Sequence, residues 1–306
     1  VRVAAVDIGT NSTNLLIVDE QGREITREIG ITRLGAGVDR HGVLAEDAIE
    51  RTVAQLQHYR ELLGAHEVQH VRAVATSASR DAANREDFLD RAEAVLGVRP
   101  GLISGEQEGA LAYRGAVGDR PAGEYRLVVD IGGGSTEFML GDDELRGVTS
   151  IDVGSVRLTE AYLHGDPPRP EELTNAIGAV QDLLEDVERE LPGIAARPML
   201  LGIAGTITTI AAVEIGLPVY DPTRVHGAAL SRPAIEEVFR TLATEPLADR
   251  IHNPGLPRER ADVIVGGCCV LVAVMRTWHV DELVVSNRTL LDGVCRELLD
   301  EFGAVR

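Results

Sequence analysis

Not one of the 306 residues is lysine; all 30 basic residues are arginine. That absence excludes the Walker A phosphate loop, Schiff-base chemistry and any phosphotransfer that needs an ammonium group. Phosphate handling in such a chain falls to backbone amides, arginine forks and metal. Aromatic residues make up only 3%, so stacking platforms for single-stranded nucleic acid are scarce. Cysteine is limited to Cys268, Cys269 and Cys295. An odd number with two adjacent fits neither a disulfide framework nor a zinc pattern, and reduced core residues are expected. No run of about 18 apolar residues suits a membrane span. No basic-then-apolar leader opens the chain, and a cytoplasmic protein is expected. The 49 acidic residues bring the net charge to −19, which argues against non-specific nucleic-acid binding and against anionic membranes.

What is present is a motif said twice. One apolar strand runs into Asp7-Ile8-Gly9-Thr10-Asn11-Ser12, and another into Asp130-Ile131-Gly132-Gly133-Gly134-Ser135-Thr136. Each ends a Val-rich run in a carboxylate, turns on glycine, offers N–H groups and hydroxyls, and resumes as an apolar stretch. Glycine lets the turn approach a ligand closely, bare N–H groups meet anionic oxygens, and the carboxylate suits Mg2+. Two such hooks about 120 residues apart predict two duplicated domains facing one anionic ligand. With 44% hydrophobic residues, the chain is long enough for two cores.

Hydrophobic spacing predicts strands over Val1–Asp7, Leu15–Val18 and Glu24–Leu34, a helix over Asp47–Leu63, a strand over Val68–Thr76 and a helix over Arg85–Leu96. A short strand at Gly101–Ser104 and a helix at Glu106–Val117 follow, and Gly118–Glu124 reads as a hinge. The order then restarts. Strands are predicted at Arg126–Asp130, Thr136–Leu140 and Glu144–Val153, and Gly165–Pro170 is a rigid loop leading into a long helix to Glu190. Met199–Ile203 and Glu282–Ser286 read as strands; Thr206–Glu214, Arg260–Trp278 and Leu290–Gly303 read as helices, with Ala261–Met275 apolar almost all round and therefore core. The reading is α/β with two domains, 1–122 and 123–289, the closing helix at about 290–306 being able to pack back onto the first.

Further candidates surround the hooks. Thr76-Ser77-Ala78-Ser79-Arg80 ends a strand and either aims hydroxyls and a guanidinium at a ligand or is an N-cap with a surface arginine. Glu108, near a helix start, is either a helix-dipole acid or catalytic. Glu137 lies inside an outgoing strand, where a carboxylate is depleted unless it meets water or metal. Gly154-Ser155-Val156-Arg157 is an anion nest or a plain helix start. Gly205 and Thr206 open a helix after a strand, a place to receive phosphate. His226, Arg258, Arg260 and Arg288 are weaker signals.

Together these motifs resemble the exopolyphosphatase and guanosine pentaphosphate phosphohydrolase (Ppx/GppA) family, within the actin, sugar kinase and heat-shock ATPase superfamily. The resemblance runs through Val6–Ser12, Ala75–Arg80, Ile103–Glu108, Asp130–Glu137, Asp152–Arg157, Arg260–Ile264 and Ser286–Gly293. It implies two ribonuclease-H-like (actin-like ATPase) domains with a cleft between them, Mg2+ dependence, and removal of terminal phosphate. Carried over by motif, Glu108 is the catalytic glutamate, in preference to Glu106. Asp130 and Glu137 serve metal and water, with Asp7 a further metal residue. Arg80, Asn11, Ser12, Gly133, Gly134, Ser135, Gly154, Ser155, Arg157, Gly205 and Thr206 are the phosphate-binding set.

Departures from the family pattern are Ala110 in place of an arginine, Gln107 in place of a glutamate, and Asn287 with Thr289 in place of Asp and Gly. Arg114, one turn on, is placed to substitute for the missing arginine. The sequence given also stops short of the C-terminal helical and HD-type domains of longer members, so action on short chains with poor processivity is expected. The implied activity is exopolyphosphatase. Guanosine pentaphosphate is the alternative substrate, against which the few aromatics give a mild argument. An ATP-dependent small-molecule kinase and a non-catalytic phosphate-chain sensor are the remaining alternatives. Nucleic acid and membrane are not expected as partners, and a homodimer is left open.

Overall fold

The computed structural model of the protein describes residues 1–118, 121 and 123–303. Of the hinge expected over Gly118–Glu124, positions 119, 120 and 122 lie outside the described residues. The first half holds strands β1 (Val3–Ile8), β2 (Ser12–Val18) and β3 (Glu24–Ile31), then helices α1 (Val38–His41) and α2 (Glu46–Ala65). Strand β4 (His70–Ala75), helices α3 (Ser77–Asp81) and α4 (Arg85–Leu96), strand β5 (Gly101–Leu102) and helix α5 (Gly105–Val117) complete it. The second half repeats the scheme with β6 (Arg126–Ile131), β7 (Thr136–Gly141), β8 (Leu145–Ile151), α6 (Ser155–Tyr162), α7 (Pro170–Glu190), β9 (Met199–Ile203) and α8 (Ala204–Ile215). It continues through α9 (Pro222–Val225), β10 (Ala229–Ser231), α10 (Arg232–Thr244), α11 (Leu247–Arg250), α12 (Ile264–Thr277) and β11 (Glu282–Val285). Helix α13 (Leu290–Phe302) ends the chain. The chain gathers into two units, Val1–Gly118 with Thr289–Arg306, and Asp119–Arg288.

In the first unit the sheet order is β3-β2-β1-β4-β5, antiparallel through β1 and parallel beyond it. The second unit runs β8-β7-β6-β9-β11-β10, again antiparallel for its first three strands and parallel across β6, β9 and β11. Each is a ribonuclease-H-like sheet. Alternating residues divide the faces: Ala4, Val6 and Ile8 of β1 join one core, and Leu127, Val129 and Ile131 of β6 join the other. Asp7 and Asp130 therefore point to the opposite face of their sheets.

Several helices end where the sequence predicts. Pro170 occupies the first turn of α7, with Glu172 accepting the Arg169 backbone N–H at 2.8 Å. Gly97 closes α4 in the left-handed conformation, its N–H on the Glu93 carbonyl. The elements at α3, α9, β10 and α10 go beyond the sequence prediction. Helix α10 has a clear start, the Ser231 hydroxyl accepting from the Ala234 N–H at 3.3 Å, and buries Ile235, Val238, Phe239 and Leu242. The three cysteines are buried free thiols, as expected; burial pushes Cys269 and Cys295 up to about 12. Among the described residues no helix is long and apolar enough to cross a membrane.

Helix α13 packs on β1, β2 and α5 of the first unit. Arg72 bonds Glu297 at 2.7 Å and Glu301 at 2.9 Å, and Arg27 bonds the buried Asp292 at 2.8 Å. Arg114 is committed to the same docking, paired with Asp300 and Glu297 of α13. The idea that it substitutes for the arginine missing at Ala110 is therefore corrected: its fork serves the helix interface. Thr289 is explained as well. Its hydroxyl accepts from the Leu291 N–H at 3.3 Å, and Asp292 completes a capping box. Helices α5 and α13 cross backbone to backbone, since a Cβ on Gly293 would lie 1.9 Å from the Leu111 carbonyl oxygen and one on Gly115 would lie 2.1 Å from that of Thr289. Gly293→Ala should force the two helices apart and cost roughly 1–3 kcal/mol, read as a lower urea midpoint at unchanged slope; an unshifted midpoint would refute the crossing.

Candidate active site

The two hooks have the same hydrogen-bonded turn. Gly9 N–H donates to the Ser12 carbonyl at 2.9 Å, and Gly132 N–H donates to the Ser135 carbonyl at 3.1 Å. A Cβ on either glycine would come 3.1 Å from that same carbonyl. The ladder that follows is equivalent too: Asp7 stands opposite Asn14, and Asp130 opposite Glu137. The difference between the copies is chemical. In the first unit the facing residue is a neutral amide, and in the second it is another carboxylate.

In the first unit, Asn14 Nδ2 donates to Asp7 Oδ2 at 3.1 Å and to Ser12 Oγ at 3.2 Å. Burial pushes the Asp7 carboxyl up to about 6, the Asn14 hydrogen bond opposing that rise. Asn14 Oδ1 is buried with no hydrogen-bond partner among the described residues, and so is Ser79 Oγ on α3. The stretch after β3 wraps this hook: Asn11 O accepts from Thr32 and Arg33, and Thr10 O accepts from Gly35 at 2.9 Å. Gly35 is needed for that approach, because its Cβ would meet Thr10 Cγ2 at 2.3 Å.

Beside this hook, β4 ends in Thr76 and passes into α3, which carries Arg80. Arg80 Nη1 donates to the Ile103 carbonyl at 2.9 Å and to Glu108 Oε2 at 3.1 Å. Nη1 is the guanidinium nitrogen engaged among the described residues, so a planar fork with five N–H donors keeps capacity for an anion. Gln107 takes the capping role that an acid near a helix start would otherwise fill. Its side chain accepts from the Ser104 N–H at 2.9 Å while the Ser104 hydroxyl accepts from the Gln107 N–H at 3.2 Å. The helix start thus needs nothing from Glu108, which is half-buried and oriented by Arg80, whereas Glu106 is exposed with its carboxyl lowered chiefly by a hydrogen bond from Ser104.

In the second unit, Glu137 is 1% exposed and Asp130 9%, and Ser150 donates to Glu137 Oε1 at 2.8 Å. Like charges directly opposite on a ladder repel, and a counter-charge beside them relieves that repulsion. The pair's oxygens are the hard donors that Mg2+ takes one or two at a time, with water and phosphate completing the shell. Among the described residues no three His, Cys, Asp or Glu side chains are placed to hold an ion.

The three glycines of the second hook meet the start of α6 (Ser155–Tyr162). Ser155 N–H donates to the Gly132 carbonyl at 2.9 Å, and the Val156 and Arg157 N–H groups donate to that of Gly133 at 2.9 and 3.2 Å. These amides hold the hook rather than form an open nest, which corrects the anion-nest alternative for the backbone at 154–157; the Ser155 and Arg157 side chains remain candidates. Gly154 allows the contact, since its Cβ would lie 2.5 Å from Gly133. The N–H groups of Gly133 and Gly134 meet no acceptor among the described residues.

Asp130 also pairs in parallel with Ile203, so β9 delivers the start of α8 to the same sheet edge. Ala204 enters that helix at φ 67°, a left-handed conformation costly for a residue with a Cβ. Thr206 and Ser155 then meet over α12 (Ile264–Thr277): a Cβ on Gly267 would lie 2.4 Å from Thr206 Cγ2 and 3.3 Å from Ser155 Cβ. Arg260 lies over Gly205, its nearest nitrogen 1.8 Å from where a Cβ would stand. Burial lowers the Arg260 guanidinium pKa, with Tyr220 and Glu259 pulling it back up. Sequence reasoning discounted Arg260 and missed Gly266-Gly267. Adjacent glycines inside an apolar helix, at roughly 1 kcal/mol each against alanine, were the available signal.

Asp7 has a testable consequence. Its folded pKa of about 6 exceeds its ordinary value near 3.8, so its favourable contribution is complete below pH about 4 and is lost as pH rises through 6. In metal-free buffer Asp7→Asn should therefore gain on wild type by about 2 kcal/mol between pH 4.5 and 7.5. Thermal unfolding at the two pH values reads the difference, and an equal gap at both would contradict the buried carboxyl.

Comparison with known proteins gives the site a family. The model of the Ppx/GppA phosphatase family matches residues 15–302. Exopolyphosphatase 2 of Mycobacterium tuberculosis is 40% identical, the match covering 97% of this chain and 98% of that one. The guanosine-5′-triphosphate,3′-diphosphate pyrophosphatase of Vibrio atlanticus is 29% identical over 98% of this chain and 59% of its own length. The crystal structure of an exopolyphosphatase-like protein superposes with a TM-score of 0.93 at 34% identity, covering 98% of this chain and 99% of that one. With duplicated glycine hooks, a facing carboxylate pair and these full-length matches, the chain belongs to the Ppx/GppA phosphatase family.

Proposed function

We propose that the protein hydrolyses the terminal phosphoanhydride of inorganic polyphosphate, short chains above all, releasing orthophosphate. The observation that carries this reading is the facing pair Asp130 and Glu137 at the mouth of a three-glycine turn whose Gly133 and Gly134 amides meet no acceptor among the described residues. An acidic protein gripping a polyanion is not a contradiction, because aligned amides, arginines and a cation make the local field positive.

Glu108 serves as the base that orients water and takes its proton, held in position by Arg80 at 3.1 Å. The remaining N–H groups of Arg80 hold equatorial oxygens of the transferring phosphate, and Asn11 and Ser12 offer further donors from the first hook. Gly133, Gly134 and Ser135 receive phosphate oxygens from the second hook, with Ser155, Arg157, Gly205 and Thr206 along the same sheet edge for the phosphates behind it. Asp130 and Glu137 are the residues for Mg2+ in the second unit, and Asp7 is the corresponding carboxylate of the first. Bound there, the ion would offset the charge that develops on the transferring group.

The M. tuberculosis relative, which this chain covers almost end to end, carries the name exopolyphosphatase and supports the substrate class. Guanosine pentaphosphate presents the same terminal electrophile, and the V. atlanticus relative, named for that nucleotide, supports it as the second substrate. A kinase would need an acceptor, and a sensor would not turn over.

The test is phosphate release from tripolyphosphate with Mg2+ and no added acceptor. Wild type should release orthophosphate, and Glu108→Gln should cut kcat by roughly 100-fold or more. Unchanged kcat in Glu108→Gln would remove the base, and no release without an acceptor would turn the reading toward a kinase or a sensor.

A further inference from the structure

We propose that Tyr220 is the surface on which the purine of a guanosine pentaphosphate rests while its 5′ phosphate chain occupies the second glycine hook. The inference deepens the hydrolase reading and rests on it. Among the described aromatic side chains nearly all are committed to packing: Tyr59, Tyr113, Phe88, Phe138, Phe239 and Trp278 are buried, and Phe302 stacks on His70 at 3.8 Å. Two rings stand out as exposed, Tyr125 at 38% and Tyr220 at 42%. Tyr125 precedes β6, at the strand's entering end, with its hydroxyl against Gly193, whereas the hook is at the exit end.

Tyr220 lies at the exit edge. Its hydroxyl donates to Asn287 Oδ1 at 3.2 Å, and Asn287 follows β11 just past Val285, which pairs with Gly202 of β9. Asn287 also donates through Nδ2 to the Pro222 carbonyl at 2.5 Å and through its backbone N–H to His226 Nδ1 at 3.1 Å, pinning both sides of the segment that carries the ring. Arg260 covers Gly205 at the start of α8, and β9 lies between β11 on one side and β6 with its hook on the other. Ring, guanidinium, helix start and carboxylate pair thus follow one another along a single sheet edge. Val219 beside the ring is 78% exposed, an apolar surface that a flat base would cover. A ring already fixed through its hydroxyl loses little freedom when a base stacks on it. Asn287, a departure from the family pattern in sequence, is what fixes it here.

The experiment compares kcat/KM on guanosine pentaphosphate with kcat/KM on tripolyphosphate in the full chain with Mg2+. Tyr220→Ala should lower the ratio about ten- to a hundred-fold, the scale of losing one base–aromatic stack. Tyr220→Phe, which keeps the ring, should hold most of the ratio, and Tyr125→Ala should leave it unmoved. A ratio unchanged in Tyr220→Ala, or lowered equally in Tyr125→Ala, overturns the proposal. Calorimetric titration with guanosine tetraphosphate and with tripolyphosphate gives the same comparison without turnover. Wild type that binds and cleaves tripolyphosphate but never the nucleotide overturns the ring's role and leaves the hydrolase reading intact. No release from either substrate, with nucleotide binding lost in Tyr220→Ala, sustains the ring and removes the hydrolase.

Discussion

The antiparallel register of β6 and β7 sets Asp130 opposite Glu137 on one face of a sheet, with Glu137 almost wholly buried. Two carboxylates so placed repel each other and give up hydration, and Ser150 donates to one of them at 2.8 Å. A strand pair keeps such an arrangement when a counter-charge is part of its working state. The first unit shows the alternative in the same turn: Asn14 stands where Glu137 would be, and its amide donates to Asp7. The first hook pairs its carboxylate with an amide, and the second faces its carboxylate with another.

Small residues do the rest of the assembly. Gly154 lets the first amides of α6 reach the hook's carbonyls, Gly267 lets Thr206 and Ser155 meet over α12, and Gly205 lets Arg260 lie on the start of α8. Each is a place where a methyl group would collide with backbone or a packed side chain. The part of the second unit proposed to take phosphate is therefore built from close backbone approach rather than from a basic patch, in keeping with a chain of net charge −19 that has no lysine.

Much of the fold was legible because its signals are local. Strand runs bounded by glycine, the Pro170 start of α7 and the Gly97 stop of α4 each carry their cause in a few adjacent residues. The segment of α10 was overlooked although Ser231 and the spacing of Ile235, Val238, Phe239 and Leu242 announce it. The hooks were legible for the same local reason. What the sequence did not reveal is which partner each polar side chain finds across long separations. Arg114 reads as a spare substrate arginine until α13, far along the chain, takes it. The amides at 155–157 read equally as a nest until the carbonyls of 132 and 133 claim them. Gln107, Thr289 and Asn287 read as departures from a pattern, yet each has a definite job: two complete helix caps and the third secures the Tyr220 segment.

The central claim is the proposal that Asp130 and Glu137 together hold Mg2+. Thermal unfolding of wild type and of the double variant Asp130→Asn/Glu137→Gln, each in EDTA and in excess Mg2+, tests it directly. The account predicts that Mg2+ raises the wild-type midpoint while leaving the double variant's where it was. An equal Mg2+ response in both proteins, or none in wild type, would contradict it.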